Sequence, residues 1–156
     1  AAVAPALRAA IADLPAVERE LLLLSGDHVL PTITPHISGL GTTIDPLKDF
    51  FDSLELMKTF KGVRVVLPAH GLEFDDLSGR ATAIERHHHE RLDKLRAASG
   101  EMGNGTVHEY MQVLFQQRSW GPMAESETYA HLEHLRERGE LERHFDAGIA
   151  RYTLVG

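Results

Sequence analysis

Two short apolar runs, each followed at once by a polar loop, limit most strongly what this sequence can fold into. Residues 21–24 are four consecutive leucines and lead to Asp27, while residues 63–67 are mostly branched and lead to His70. Such runs are too short for a helix and are typical of strands buried on both faces in a layered α/β fold. Residues just past adjacent strand ends meet at one edge, so Asp27 and His70 are expected to lie together, where they could share a divalent metal ion.

Composition restricts the alternatives. With 156 residues, 43% of them hydrophobic, the chain can bury one moderate core or a small core with a satellite domain. The net charge of -7 would repel a nucleic-acid backbone rather than attract it. Since the sequence has no cysteine, a metal ion would have to be bound by histidine and carboxylate groups.

Targeting signals are also missing from the sequence. It contains no stretch of about 18 uninterrupted apolar residues, and residues 1–14 lack the charged start and long apolar centre of a signal peptide. We therefore expect a soluble protein with no membrane partner, and cytoplasmic localisation as the default.

Helical patterns organise the first part of the chain. A short Ala-rich helix is expected at residues 4–12, and a longer one follows the N-cap and proline of Asp45-Pro46. A third helix is expected over residues 78–98, with a charged surface and a thin apolar stripe. Three glycines in residues 99–105 then predict a linker.

The pattern after this linker is helix, helix and hairpin. Thr106 and Glu109 have the spacing of a capping box at the start of a helix. A second helix is expected over residues 125–138, and two short strands flank the turn at residues 146–148. This order is typical of a winged helix. The predicted organisation is a first domain at residues 1–98, a linker at 99–105 and a winged-helix-like domain at 106–156.

Several motifs in this order resemble a known family. They are Leu24-Ser25-Gly26-Asp27-His28-Val29-Leu30-Pro31, Thr34-Pro35, Asp45-Pro46-Leu47, Ser53-Leu54 and Leu67-Pro68-Ala69-His70-Gly71. They resemble the metallo-β-lactamase superfamily, in its glyoxalase-two-like and β-lactamase-like-protein branch, through most of residues 20–156. The resemblance implies an α/β fold: the carboxyl-terminal half of a metallo-β-lactamase αββα sandwich, followed by a small winged-helix-like α+β domain.

The resemblance also implies roles for individual residues. In that family the aspartate of the Gly-Asp motif bridges two metal ions and the histidine of the Pro-x-His-Gly motif binds the second ion, which makes Asp27 and His70 the expected zinc ligands. His28 and His36 follow the first strand and are candidate site-lining residues. The alternatives from the residues themselves are a loop cap for Asp27 and histidines bonded to backbone carbonyls for the others.

The sequence departs from the family in its first twenty residues. The family places a His-x-His-x-Asp-His motif and one further histidine before the Gly-Asp strand, whereas residues 1–20 contain no histidine. Asp27 and His70 alone give two protein ligands, and a catalytic zinc ion needs about three plus water. We therefore expect this chain to be a carboxyl-terminal part that binds metal weakly and is inactive alone, and we assign it no catalytic residue.

A run of three histidines lies in the third predicted helix. The resemblance makes His87, His88 and His89 a surface feature of the family. Consecutive helical residues point about 100 degrees apart, so the three cannot easily bind one ion. The sequence predicts that they lie on a solvated face.

Two functional hypotheses remain open. The first is a metal-dependent hydrolase that, in its complete form, uses two divalent ions to hydrolyse an ester, thioester or phosphodiester. A small-molecule substrate is favoured over RNA, because residues 106–156 carry five arginines against eight acidic residues. An endoribonuclease-type nuclease is the variant of this idea. The second hypothesis is a non-catalytic winged-helix binding module or pseudoenzyme.

The predicted sheet has a further consequence. A partial sandwich would leave one apolar sheet face bare at residues 21–24 and 63–67. We expect either a missing amino-terminal segment or a second copy in a homo-oligomer to cover it.

Overall fold

The structure is a computed structural model that describes residues 22–156. The predicted helix at residues 4–12 and the start of the first apolar run lie outside the described residues. Within residues 22–156, none of the helices combines the length and the apolar character needed to cross a membrane.

The described residues form four α-helices, five β-strands and one 3-10 turn. In chain order they are β1 (Leu22–Gly26), α1 (Pro46–Thr59), β2 (Val65–Pro68), α2 (Leu77–Met102), β3 (Gly105–Thr106), α3 (Val107–Leu114), a 3-10 turn (Gln117–Ser119), α4 (Pro122–Glu137), β4 (Leu141–Asp146) and β5 (Ile149–Leu154). Each predicted apolar run contains a strand, although Val63 and Arg64 lie outside β2, and each predicted helix among the described residues is present.

The two strands β1 and β2 form a parallel pair. Leu22 pairs with Val65 and Leu24 with Leu67, after which one extra residue in β1 shifts the register. In a parallel pair, residues that face each other point to the same side. One face therefore carries Leu22, Leu24 and Val65, all exposed, while Val66 on the opposite face is fully buried.

Helix α1 begins as its sequence predicts. Asp45 Oδ1 accepts a hydrogen bond from the backbone N–H of Lys48 at 2.9 Å, which satisfies one of the free amides of the first turn. Pro46 occupies the first helical position, where a missing N–H costs nothing. The apolar spacing then buries Leu47, Phe50 and Leu54.

Helix α2 is longer than its sequence predicts. Ser99 to Met102, expected to begin a linker, form its last turn. Ala98 and Ser99 are buried, and Ser99 Oγ donates to the carbonyl oxygen of Leu95 at 2.8 Å. This burial offsets the low helix propensity of Gly100. The helix ends at Gly103, which has a φ of 69°.

The last fifty residues contain the predicted helices and hairpin. Thr106 and Glu109 form the complete capping box at the start of α3. Strands β4 and β5 form an antiparallel hairpin, with Ala147 and Gly148 at positive φ in its turn. Strand β3 adds to β5, which gives a three-stranded sheet in the order β3-β5-β4.

The chain folds into two compact units whose limits differ from the predicted domains. Among the described residues, the first unit comprises residues 22–35 and 55–84, and the second comprises residues 36–54 and 85–156. Among described residues, the first core contains Val29, Leu30, Val66, Leu77, Ala81 and Ile84. The larger core of the second contains Leu47, Phe50, Leu54, Leu92, Leu95, Tyr110, Met111, Leu132, Leu135, Leu141 and Tyr152. The predicted boundary at residues 99–105 thus lies inside the second unit.

Candidate metal centre and a second histidine cluster

Asp27 and His70 lie together at the carboxyl ends of β1 and β2. The backbone N–H of Ala69 donates to the carbonyl oxygen of Gly26 at 2.8 Å, which joins the two loops just beyond the strands. His70 Nε2 lies 3.4 Å from Asp27 Oδ1. The side chains are 72% and 68% exposed, so this pair opens to solvent. The predicted juxtaposition of the two residues is therefore present, and it follows from the parallel pairing of the strands.

The loop after β1 is held by side chains from its own unit. Ser25 is buried, and its Oγ donates to the carbonyl oxygen of Val29 at 2.8 Å. Arg80 donates to two carbonyl oxygens of the loop, through Nε to Leu30 at 2.5 Å and through Nη2 to Ile33 at 2.8 Å. Burial lowers the pKa of Arg80. These bonds fix the backbone from which Asp27 projects.

Gly71, directly after His70, packs closely against Pro31. Its φ is 93°, in the region that favours glycine, and a Cβ there would lie 2.7 Å from Cγ of Pro31. The proline ring cannot swing away as a flexible side chain would. Glycine at this position therefore allows the loop that carries His70 to pack against the loop that carries Asp27.

Replacing Gly71 with alanine is expected to lower the free energy of unfolding by about 1 to 3 kcal/mol, because it adds both backbone strain and the Pro31 contact. Urea denaturation of the purified chain measures this change. Gly41→Ala is the control, since a Cβ there meets nothing within 4 Å. Equal stabilities of the two variants would show that the loop relaxes without cost.

The donor set of the Asp27–His70 pair fits a zinc ion in part. A carboxylate oxygen and an imidazole nitrogen are both ordinary zinc ligands, and both are accessible. They are two ligands, however, and a catalytic zinc ion has about three from protein. Among the described residues, the groups of three or more side chains with metal-binding spacing do not include this pair.

The two candidate site-lining histidines lie in different units. His28 follows Asp27 directly, is half-buried, and its backbone N–H donates to the carbonyl oxygen of Ser25 at 3.0 Å. His36 belongs to the second unit, where its Nδ1 lies 3.4 Å from Glu127 Oε2. Their roles beside a metal ion stay predictions.

A second cluster, formed by His88, His131 and Glu127, lies in the second unit. His88 comes from α2 and the other two from α4, where Glu127 and His131 are four residues apart and share a helix face. One nitrogen of each histidine and one carboxylate oxygen all lie within 4.8 Å of one another. Both histidines are 0% exposed. We call this group the buried histidine cluster.

Hydrogen bonds determine the tautomers of the buried histidine cluster. His131 Nδ1 lies 2.7 Å from the carbonyl oxygen of Glu127, which can only accept, so Nδ1 carries the ring proton. His131 Nε2 therefore accepts from His88 Nδ1, at 3.0 Å. His88 Nε2 is left unprotonated, buried and without a hydrogen-bond partner. Burial, the largest cause, lowers the pKa of His88 to about 2 and that of His131 to about 3.

The surroundings of the cluster combine one cation with aromatic rings. Arg91 pairs with Glu127 Oε1 and lies over the ring of Phe115 at 4.4 Å. Phe50 and Phe51 approach His88 in edge-on geometry, at 5.5 and 6.1 Å between ring centroids. These apolar walls account for the cost of charging the histidine.

The predicted solvated face is wrong for His88. Ile84, His88, Leu92 and Leu95 follow one another at intervals of four, four and three, so His88 lies on the buried stripe of α2. The sequence contains this spacing, which groups His88 with the apolar residues of the helix and not with the two histidines beside it. His89 does lie at the surface, stacked on Phe51 at 4.8 Å.

No family model matches the chain, and no curated protein matches it. Among solved structures, it is similar to a beta-lactamase domain protein from Burkholderia ambifaria, with 31% identity and a TM-score of 0.80, over 88% of this chain and 42% of that one. A metallo-β-lactamase family protein from Thermus thermophilus is 35% identical, with a TM-score of 0.75, over 89% of this chain and 43% of that one.

These two structural neighbours are described as a beta-lactamase domain protein and a metallo-β-lactamase family protein. Their likeness supports the superfamily and a partial metallo-β-lactamase fold. The chain spans less than half the length of either neighbour. At this coarse level, the likeness agrees with the fold that the Gly-Asp and Pro-x-His-Gly motifs imply.

Proposed function

We propose that this chain is the carboxyl-terminal part of a metal-dependent hydrolase of the metallo-β-lactamase superfamily. The observation that carries this proposal is the approach of Asp27 and His70 to 3.4 Å at adjacent strand ends, in a chain whose structural neighbours belong to that family. The reaction class is hydrolysis of an ester, thioester or phosphodiester. The finer assignment to the glyoxalase-two-like and β-lactamase-like-protein branch is part of the proposal.

Asp27 and His70 would hold the metal ions in this proposal. Asp27 would contribute a carboxylate and His70 a ring nitrogen. When bound, zinc supplies a Lewis acid that lowers the pKa of a water molecule and polarises the substrate. The chain's own contribution is to fix these two ligands through the Ala69–Gly26 bond and the anchoring of the loop by Arg80.

The two ligands of this chain do not complete a catalytic site. Both side chains are open to solvent, so further ligands can reach the ion from the part of the family domain that this chain does not span. The missing ligands make this chain, when alone, a weak metal binder without activity. They also support the second candidate, a non-catalytic binding module or pseudoenzyme.

The exposed sheet face supports the same arrangement. Leu22, Leu24 and Val65 project from one face of the β1–β2 pair and are between 37% and 50% exposed. Because the solved neighbours are more than twice as long as the matched region, the rest of the family domain is the proposed cover of this face. A second copy of the chain is the alternative occupant.

Charges in the last fifty residues favour a small-molecule substrate. Four of their five arginines pair with carboxylates: Arg136 and Arg143 with Glu133, Arg138 with Glu140, and Arg151 with Asp146. Nine residues of α4 are buried, which leaves little of that helix to enter a nucleic-acid groove. We assign α3, α4 and the three-stranded sheet to a winged-helix-like domain. Its proposed role is structural and does not include RNA binding.

The proposal is tested on a longer protein in which the remainder of the family domain precedes this chain. We expect about two zinc ions per chain by elemental analysis, and hydrolysis of a thioester or lactone. Asp27→Asn and His70→Gln should each lower the hydrolysis rate by about 100-fold or more, since loss of a ligand exceeds the usual cost of losing its hydrogen-bond partner. The control His144→Gln changes an exposed histidine on β4.

Two results would decide against this function. A longer protein that is folded but binds no metal would favour the non-catalytic module. Full activity in both the Asp27→Asn and His70→Gln variants would show that hydrolysis does not depend on this pair. Cleavage of an RNA oligonucleotide in place of small esters would assign the enzyme to the nuclease alternative.

A further inference from the structure

The buried histidine cluster holds more hydrogen-bond acceptors than donors. Its acceptors are His88 Nε2, His131 Nε2 and the two carboxylate oxygens of Glu127. The groups that face them are His88 Nδ1, the guanidinium of Arg91 and, at 3.4 Å from Glu127 Oε2, His36 Nδ1, so His88 Nε2 is the acceptor left over. Buried polar atoms are almost always paired, and an unpaired one calls for an explanation such as an ion. A surplus of buried lone pairs is what a cation satisfies.

The spacing of the two rings suits a transition-metal ion. His88 Nδ1 and His131 Nε2 are 3.0 Å apart. Two nitrogens on one tetrahedral zinc ion, each at about 2.0 to 2.1 Å, are about 3.3 Å apart, so the nitrogens need to separate by only a few tenths of an ångström while each ring tilts to point its lone pair at the ion. When an ion replaces the proton between the rings, that proton moves to His88 Nε2 and both imidazoles stay neutral. The ion then takes up both ring lone pairs, and Nε2 becomes an N–H in a ring that packs edge-on with Phe50 and Phe51.

The groups around the two rings complete the set. Arg91 pairs with Glu127 Oε1, and Oε2, which faces His36 Nδ1, is the oxygen that an ion would take. His36 Nδ1 lies 3.4 Å from Oε2 and is the candidate fourth ligand. The bond from His131 Nδ1 to the carbonyl oxygen of Glu127 is the kind of outer contact that orients metal-binding histidines. Since both histidines are neutral at pH 7, no proton has to leave the site first.

We propose that His88, His131 and Glu127 bind one divalent transition-metal ion, with zinc as the best match to the ligands, at a site separate from the Asp27–His70 pair. The ligands come from α2 and α4, so the ion joins two helices of the second unit. Its role is structural, because the site is buried and walled by Phe50 and Phe51.

Zinc binding to the chain carrying Asp27→Ala and His70→Ala tests this site without interference from the first pair. We expect one zinc ion per chain by equilibrium dialysis and elemental analysis, and a tetrahedral visible spectrum when cobalt(II) is used instead. Zinc at 100-fold excess over its Kd should raise Tm by about 5 to 10 °C. A chain that binds no zinc above background would overturn the proposal.

Ligand variants in the same background identify the residues. His131→Gln and His88→Gln should each weaken zinc binding by about 100-fold or more and remove the rise in Tm. His89→Gln, one position along α2 and at the surface, should leave both unchanged. Circular dichroism checks that each variant is folded, and Glu127→Gln provides a third ligand variant if one does not fold. Unchanged zinc affinity in the folded ligand variants would contradict the assignment. None of these measurements depends on hydrolysis by the longer protein. They can therefore disprove the zinc site while the proposed function stands, and the reverse.

Discussion

Lowering the pH from 7 to 5 in the presence of a chelator is expected to reduce the free energy of unfolding of the second unit by about 3 to 4 kcal/mol. The pKa of His88 is lowered to about 2 and that of His131 to about 3, mainly by burial, whereas an unfolded histidine titrates near 6.5. Each histidine contributes about 2 kcal/mol of this loss. The expected loss is a large fraction of the stability of an ordinary domain.

The direction of the effect follows from which state binds protons. Above pH 6.5 both states hold these rings neutral, and the histidines add no pH dependence. As the pH falls below 6.5, the two histidines bind protons in the unfolded chain but not in the folded chain, so the free energy of unfolding decreases. The decrease continues until the pH reaches the folded pKa values near 3 and 2.

Urea denaturation at pH 7, 6 and 5 measures this effect, and the fluorescence of Trp120 reports on the unit that contains it. The His131→Gln variant should be less stable at pH 7 but should lose about half as much stability between pH 7 and 5. His144→Gln serves as the surface control. An unchanged stability of the original chain between pH 7 and 5 would mean that the buried rings admit a proton or water more easily than the structure indicates.

Leu24→Ala is expected to have a small effect on the stability of this chain and a large one on that of the longer protein. Here Leu24 is 50% exposed, so its truncation should change stability by less than about 0.5 kcal/mol. If the rest of the family domain covers the sheet face, the same change in the longer protein should cost about 2 to 4 kcal/mol, as for a buried leucine. Urea denaturation of the four proteins gives both differences.

Val66→Ala is the matched control for the sheet face. Val66 lies in the neighbouring strand on the opposite face and is fully buried, so its truncation should destabilise both proteins. A small effect of Leu24→Ala in both proteins would show that the face stays open. A defined dimer of this chain that Leu24→Ala dissociates would assign the face to a second copy.

The residues of the first site were predictable because they depend on local patterns. Asp27 and His70 each follow an apolar strand directly, and parallel pairing of two strands is enough to bring their ends together. The start of α1 at Asp45 and the capping box at Thr106 were also predictable, because the capping hydrogen bonds join residues close in sequence.

Long-range burial could not be predicted in the same way. His88 is buried by α4 and by the rings of Phe50 and Phe51, none of which is near it in sequence. The glycines of residues 99–105 predicted a linker, yet burial of Ser99 carries α2 past Gly100. In both cases packing between distant segments outweighs local preference.

The division of the chain sets a limit on where it can be shortened. A piece beginning at residue 106 would keep the capping box and the hairpin. It would lose Asp45, which pairs with His134 at 2.9 Å, and Arg91 and Arg96, which pair with Glu127 and Glu140. His134 and Glu127, both largely buried, would lose these partners, and Glu140 would keep only Arg138. The carboxyl-terminal helices and hairpin are therefore not an autonomous module that could be moved into another protein: residues 36–54 and 85–105 would have to move with them.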